Sequence, residues 1–171
     1  MSDVRTIALA GNPNCGKTTL FNALTGDCRH VGNWPGVTVE RAEGAYRHRG
    51  ADVWVIDLPG LYSLDAHTLD ERVTRDYVDE GRADVVVNVI DASNLERSLY
   101  LTAQLLERRA PVIVVLNMMD LAASLRIRIH VERLSKALGC PVIPMSAMTG
   151  EGVEALRDTV ARVAAGADPA A

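Results

Sequence analysis

"GNPNCGKT", Gly11 to Thr18, decides how the rest of this chain is read. It fits the pattern G-x-x-x-x-G-K-[ST] and stands between an apolar run, "VRTIALA" (4–10), and a helical one, "TTLFNALTG". In a strand–loop–helix of this kind the glycines let the backbone wrap so that successive N–H groups point inward, and the helix N-terminus adds partial positive charge. The result is a cradle for phosphates. Within it Lys17 is placed to bridge the β- and γ-phosphates, and the Thr18 hydroxyl to hold a magnesium ion.

On either side of that motif, short β-branched runs alternate with helical stretches, which predicts an α/β layered domain. Strands are expected at 4–10, 37–49, 52–58, 84–91, 111–117 and 141–146. Most are continuous apolar runs, as strands covered on both faces are. The second alternates instead and joins the third through "RHRGAD", so that pair is expected to be an antiparallel hairpin at the sheet edge, turning at Gly50. Helical stripes follow at Leu95, Leu99, Leu105 and Leu106, at Val131, Leu134 and Leu138, and at Val153, Leu156, Val160 and Val163. One domain over 1–165 is expected, with a frayed or linker-like tail at 166–171.

At 171 residues the chain suffices for one substantial core. Its 22 acidic and 18 basic residues carry no long run of one sign, which argues against a nucleic-acid partner. Three widely spaced cysteines, Cys15, Cys28 and Cys140, suit reduced thiols in a cytosolic compartment. No stretch reaches the roughly 20 apolar residues that cross a bilayer, and the start "MSDVRTIALAGN" lacks the make-up of a signal peptide.

Three further motifs follow in order. "DLPG", Asp57 to Gly60, ends the third strand, where a carboxylate lies beside the phosphate loop and can hold magnesium through water. Gly60, without a side chain, is placed to bring its N–H against a γ-phosphate. "NMMD", Asn117 to Asp120, closes the fifth strand. An aspartate there accepts two hydrogen bonds from the guanine N1–H and amino group, a pair of donors that adenine lacks. "SAMTGEG" from Ser146 offers a backbone amide, that of Ala147, to the guanine carbonyl.

This ordered set resembles the GTPases of the Ras-like P-loop class. The resemblance implies a mostly parallel six-stranded sheet with helices on both faces and one antiparallel edge hairpin. It also implies a nucleotide surface made by Gly11, Asn12, Pro13, Asn14, Cys15, Gly16, Lys17, Thr18 and Thr19 of the phosphate loop, and by Gly36, Val37 and Thr38 of the next loop. Asp57, Pro59, Gly60, Asn117, Met118, Asp120, Ser146, Ala147 and Met148 complete it. Two positions depart from that class. Many members carry lysine where this chain has Met118, which leaves ATP open as a second substrate beside GTP. Many place a water-orienting glutamine directly after "DxxG", where this chain has Leu61. An apolar leucine cannot orient water, so hydrolysis is expected to be slow or assisted. Asn14 has two readings at this point: its amide oxygen coordinates a potassium ion beside the phosphates, or it bonds its own turn.

The longer strings "VGNWPGVTVE", "DLPGLYSLDAHTLDERVTRDY" and "DASNLERSLYLTAQLLE" are similar to the N-terminal G domain of FeoB-type prokaryotic ferrous-iron transporters, over about residues 4–160. That resemblance implies the cytosolic part of an inner-membrane protein whose helical spacer and membrane domain follow the G domain, with small accessory proteins and an oligomer left open. It implies catalytic roles for Asn14, Lys17, Thr38 and Gly60, and a magnesium ion held by Thr18, Thr38 and Asp57. It also implies an activating potassium ion held by Asn14 and by the carbonyls of Gly32 and Trp34. Nucleotide-dependent loops would then gate or energise iron uptake. The side chain of Trp34 is read as an anchor for its loop, with Pro35 holding the residue extended. Cys28, His30 and His67 supply too few ligands for an iron site, and His48 and His130 read as surface residues. Rival readings are a regulatory module whose hydrolysis only resets a switch, and a ribosome- or RNA-associated GTPase of the same fold.

Overall fold

In the computed structural model, which describes residues 5–26, 29–108 and 110–166, the centre of the molecule is strand β1, Arg5–Gly11. Its residues alternate between two cores: Ile7 and Leu9 face one, Ala8 and Ala10 the other. Such a strand must be covered on both sides. Strands β2 (Arg29–Asn33), β3 (Glu40–His48), β4 (Ala51–Asp57), β5 (Val85–Asp91), β6 (Val112–Asn117) and β7 (Val142–Pro144) complete one sheet in the order β2-β3-β4-β1-β5-β6-β7. From β4 through β7 neighbouring strands are parallel; β2, β3 and β4 pair antiparallel.

One core is closed by helices α1 (Lys17–Thr25) and α6 (Val153–Ala164), through Leu20, Phe21 and Leu24 and through Val153, Leu156, Val160 and Val163. The other takes α2 (Leu69–Asp79), α3 (Leu95–Leu106), α4 (Met119–Ser124) and α5 (Val131–Leu138). No helix among the described residues is long and apolar enough to cross a membrane. α6 ends at Ala164, and the tail expected at 166–171 lies outside the described residues beyond Gly166.

The expected architecture is present, with one more strand than the apolar pattern indicated. β2 lies just before the loop of Trp34, where no strand was expected, and it takes the sheet edge that the β3–β4 hairpin was expected to hold. All five of its residues are exposed, so no burial pattern marks it in the sequence; the ladder to β3, from Arg29 opposite Gly44 to Asn33 opposite Glu40, is what makes it a strand. The β3–β4 turn behaves as expected: Arg49 and Gly50 both have positive φ, 49° and 85°, the backbone of a tight two-residue hairpin. α2 carries an apolar stripe, Leu69, Val73 and Tyr77, that was not among the expected ones, and its start is written in a capping box: Thr68 accepts from the Glu71 N–H, and Glu71 reaches back to the Thr68 N–H.

The end of β1 is held by a buried polar bridge. Asn88 on β5 donates to the Ala10 carbonyl at 3.3 Å and accepts from the Thr102 hydroxyl of α3 at 2.6 Å. Asn88 and Thr102 are fully buried, so losing one partner strands the other. Thr102→Val, which keeps the shape and deletes the donor, should cost about 1–3 kcal/mol in urea unfolding. An unchanged midpoint would show that the bridge adds nothing.

Candidate functional site

Three motifs end parallel strands and a fourth follows β7, so their loops meet along the carboxyl edge of the sheet, where open α/β sheets bind ligands. The loop after β1 starts at Gly11, a position with no room for a side chain: a Cβ there would stand 2.6 Å from the Val89 carbonyl and 2.7 Å from Cys15 Sγ. The chain then turns through Asn14 at φ 64° and Gly16 at φ 89° before α1 begins. Left-handed residues alternating with others in this way aim a run of N–H groups inward. Cys15 is buried at the root of the loop, and burial raises its thiol pKa. Its thiol fills space above Gly11, a packing role.

The "DLPG" loop is laced to this cradle by its backbone. The Leu58 N–H donates to the Leu9 carbonyl at 3.0 Å and the Leu61 N–H to the Gly11 carbonyl at 3.1 Å, while Gly60 lies against Pro13. The Leu61 side chain is buried in the second core, so it faces away from any water at the site, as its chemistry predicted. Lys17 and Asp57 form a close, largely shielded ion pair across the site. One cleft of about 520 Å³ is lined by Lys17, Thr38, Asp57, Pro59 and Gly60 among others. A second, of about 350 Å³, is lined by Asn12, Pro13, Asn14, Gly16, Lys17, Thr18, Thr19 and Gly60. They share Lys17 and Gly60.

Asn117 joins the remaining loops. Its Nδ2 donates to the Cys15 carbonyl at 3.0 Å, and its Oδ1 accepts the Ala147 N–H at 2.9 Å. Gly16 must be glycine for this to happen, because a Cβ there would come within 2.1 Å of that Nδ2. Met118, held at φ 61°, lays its methyl group near Gly16, and Asp120 stands exposed in the first turn of α4. Ser146 is buried and closes its loop by a bridge to Glu151, leaving Met148 89% exposed. The Ala147 amide is thus already engaged by Asn117, so a base carbonyl would have to share that donor.

The loop after β2 is built on a turn. Trp34, Pro35, Gly36 and Val37 make a β-turn, with the Val37 N–H on the Trp34 carbonyl at 3.2 Å and Gly36 at φ 76°. The indole is buried, as expected of an anchor: it meets Tyr77 of α2 edge-on at 5.3 Å between ring centroids and carries the Arg41 guanidinium over its face at 4.8 Å. Gly32 sits in β2 opposite Arg41. The two backbone positions assigned to potassium are therefore occupied, one in the ladder and one in the turn. Asn14 makes no side-chain hydrogen bond to its own turn among the described residues. His30, His67 and His130 are exposed, and Cys28 lies outside the described residues. His48 is a correction: its side chain is only 10% exposed, held between two carboxylates of α6.

A seven-stranded, mostly parallel sheet carrying these loops is a Ras-like P-loop GTPase fold. Within that class the chain belongs to the FeoB_N family, ferrous iron transport protein B, whose family model matches residues 5–160. It is 54% identical over 161 residues to the Fe(2+) transporter FeoB of Escherichia coli K12, covering 92% of this chain and 21% of that protein. The chain thus spans about a fifth of the length of this curated relative. It also matches the crystal structure of the G domain of T. maritima FeoB, with 46% identity, a TM-score of 0.89, and coverage of 94% of this chain and 99% of that one. The cytosolic domain of T. maritima FeoB in a GDP form matches at 45% identity and a TM-score of 0.92, covering 96% of this chain and 64% of that one.

Asn117→Ala strands two buried backbone groups and should lower stability by about 1–3 kcal/mol for each. Gly16→Ala, which displaces the same amide, should move the urea midpoint in the same direction. Midpoints like that of the unsubstituted chain would dismiss the strut.

Proposed function

We propose that this chain binds guanine nucleotide and hydrolyses GTP slowly, as the nucleotide-dependent unit of a ferrous-iron transporter. The observation that carries this is the convergence of the phosphate loop, "DLPG", "NMMD" and "SAMTGEG" on one edge of the sheet, three of them joined by the Asn117 amide. The GDP form of a FeoB cytosolic domain with this fold supports it.

In this reading Lys17 and Asp57 exchange partners. Each neutralises the other as the structure stands. With a triphosphate bound, Lys17 would pair with the β- and γ-oxygens, which would leave Asp57 to help Thr18 and Thr38 hold a magnesium ion. The donor set of Thr18, Thr38 and Asp57 is all oxygen, which suits that hard, octahedral cation. A magnesium ion held there would neutralise charge on the phosphate oxygens. The Gly60 N–H supports the γ-phosphate, and the Asp120 carboxylate pairs with the guanine N1–H and amino group. Met118 covers the apolar face of the base without the charge of a lysine, which weakens the case for strict GTP selection and keeps ATP as a second substrate.

With Leu61 buried, chemistry falls to charge neutralisation by the loop itself. Asn14 is exposed and, among the described residues, makes no side-chain hydrogen bond to its own turn, which favours its reading as a potassium ligand. The Gly32 and Trp34 carbonyls would have to leave the β2 ladder and the Trp34 turn to help hold such an ion, whose contribution there would be to neutralise charge developing on the phosphates. A switch of this kind lets nucleotide state bias the membrane part of the whole transporter, and hydrolysis either drives iron passage or resets the gate.

Single-turnover GTP hydrolysis in potassium against sodium, for the unsubstituted chain and Asn14→Ala, tests the mechanism. Potassium should accelerate the former at least about tenfold, the scale of a modest electrostatic contribution, and leave the latter unchanged. Equal rates in both salts would remove potassium from the mechanism. Lys17→Ala should abolish binding of fluorescent GDP and GTP, and Asp120→Asn should shift selectivity away from guanine; retained affinity in the first, or selectivity in the second, would overturn the corresponding assignment.

A further inference from the structure

We propose that the segment running from α4 through α5, residues 121–136, docks on an anionic lipid surface. This docking rests on the reading of the chain as part of a membrane transporter. Of residues 121–136 only Ala122 is buried. α5 sets Val131, Leu134 and Leu138 against the second core, yet none of its residues is buried. Large apolar side chains stand in water just before it: Leu121 is 43% exposed, Leu125 57% and Ile127 38%. Backbone bonds hold these three together, the Leu125 N–H donating to the Leu121 carbonyl at 3.0 Å and the Ile127 N–H to the Ala122 carbonyl at 2.9 Å.

The same segment holds most of the cations that the fold leaves unpaired. Of the described lysines and arginines, all but Arg72, Arg126, Arg128, Arg133 and Lys136 have a partner. Apart from Arg72 on α2, these lie between positions 126 and 136. Glu132 is the single acidic residue in 121–136, in a chain whose net charge is -4. Arg133 and Lys136 are three apart on α5, so they share a face, and it is the one turned away from Val131, Leu134 and Leu138. Arg126 and Arg128 flank the exposed Ile127. Cations without a carboxylate beside them extend their potential into solvent, where it attracts a negative surface.

Basic groups beside exposed leucine and isoleucine match the two layers of such a bilayer face. The guanidinium and ammonium groups meet headgroup phosphates, and the apolar side chains meet the acyl boundary beneath them. A nucleic acid would call for aromatic rings to stack on its bases, and 121–136 contains no Phe, Tyr or Trp. An acidic protein surface would satisfy the charges without a use for Leu125 and Ile127. The setting agrees: the chain matches the cytosolic domain of T. maritima FeoB and spans about a fifth of a FeoB transporter, and the cytoplasmic leaflet carries the negative surface potential. Attachment to a membrane part raises the effective concentration of lipid, so a weak contact suffices.

The test is co-sedimentation of the chain with sucrose-loaded vesicles of phosphatidylcholine containing phosphatidylglycerol, against vesicles of phosphatidylcholine alone. Half of the chain should sediment with the anionic vesicles below about 10 mM accessible lipid at low salt, each basic side chain near the surface being worth roughly fivefold. Combined Arg128→Gln, Arg133→Gln and Lys136→Gln should lower partitioning at least about tenfold, and raising the salt to about 0.5 M should do the same. Combined Leu125→Ser and Ile127→Ser should lower it severalfold whatever the salt, because apolar contact is not screened. Circular dichroism and GDP affinity should be unchanged in both variants, which separates lost docking from lost folding. Labelled polyglutamate, the probe for an acidic protein, should bind more weakly than the vesicles and without dependence on Leu125 and Ile127. Vesicle binding needs no nucleotide, so its outcome is independent of the guanine and potassium assignments. No sedimentation at about 10 mM lipid, equal sedimentation with both kinds of vesicle, partitioning unmoved by the substitutions, or polyglutamate bound as tightly as the anionic vesicles would overturn the proposal.

Discussion

The side-chain amide of Asn117 is the constraint on which the site depends. It spans loops that are 102 and 30 residues from it in sequence, donating to the Cys15 carbonyl and accepting from the Ala147 N–H. A buried amide with both ends engaged sets position as well as distance, because its donor and acceptor geometry is directional. Gly16 has to be glycine so that this amide can approach, and Met118 has to take a left-handed conformation so that the chain can leave β6 and reach α4. Conformations that cost energy elsewhere are sustained here by the packing around them.

Charge at the site is balanced internally. The Lys17–Asp57 pair satisfies two largely shielded charges that would otherwise be costly to hold apart from water. In the proposed reading, a ligand carrying its own negative phosphates and a divalent cation would replace both partners at once, so the exchange would conserve pairing. The Trp34 turn lies beside this exchange but is tied to α2 through Tyr77 and to β3 through Arg41. Movement near Thr38 would therefore be felt on α2, which follows the "DLPG" loop.

The parallel core was legible in the sequence because β1, β5 and β6 are buried on both faces and their apolar runs leave no other reading. The phosphate loop was legible because its spacing and its flanking strand and helix agree. β2 was not, since an exposed edge strand has no hydrophobic pattern and exists through its ladder to β3. α2 was missed although its capping box, Thr68 with Glu71, stood in plain view. His48 looked like a surface residue because nothing adjacent in sequence hints at Glu154 and Asp158, which lie more than 100 residues away.

Sequence alone determined the class of chemistry. Glycine at Gly11 and Gly16, a lysine and a threonine after them, a carboxylate ending one strand and another three residues past the end of a second are short-range statements, and spacing carries them. Tertiary structure decided which groups are free. It committed the Ala147 amide to Asn117, engaged the Trp34 carbonyl in a turn, placed Gly32 in a strand, and, among the described residues, left Asn14 unbonded to its own turn. The reason is physical: motif residues are selected by local conformation, but hydrogen-bond partners are assigned by contacts between distant segments, and those exist only once the sheet has brought the loops to one edge.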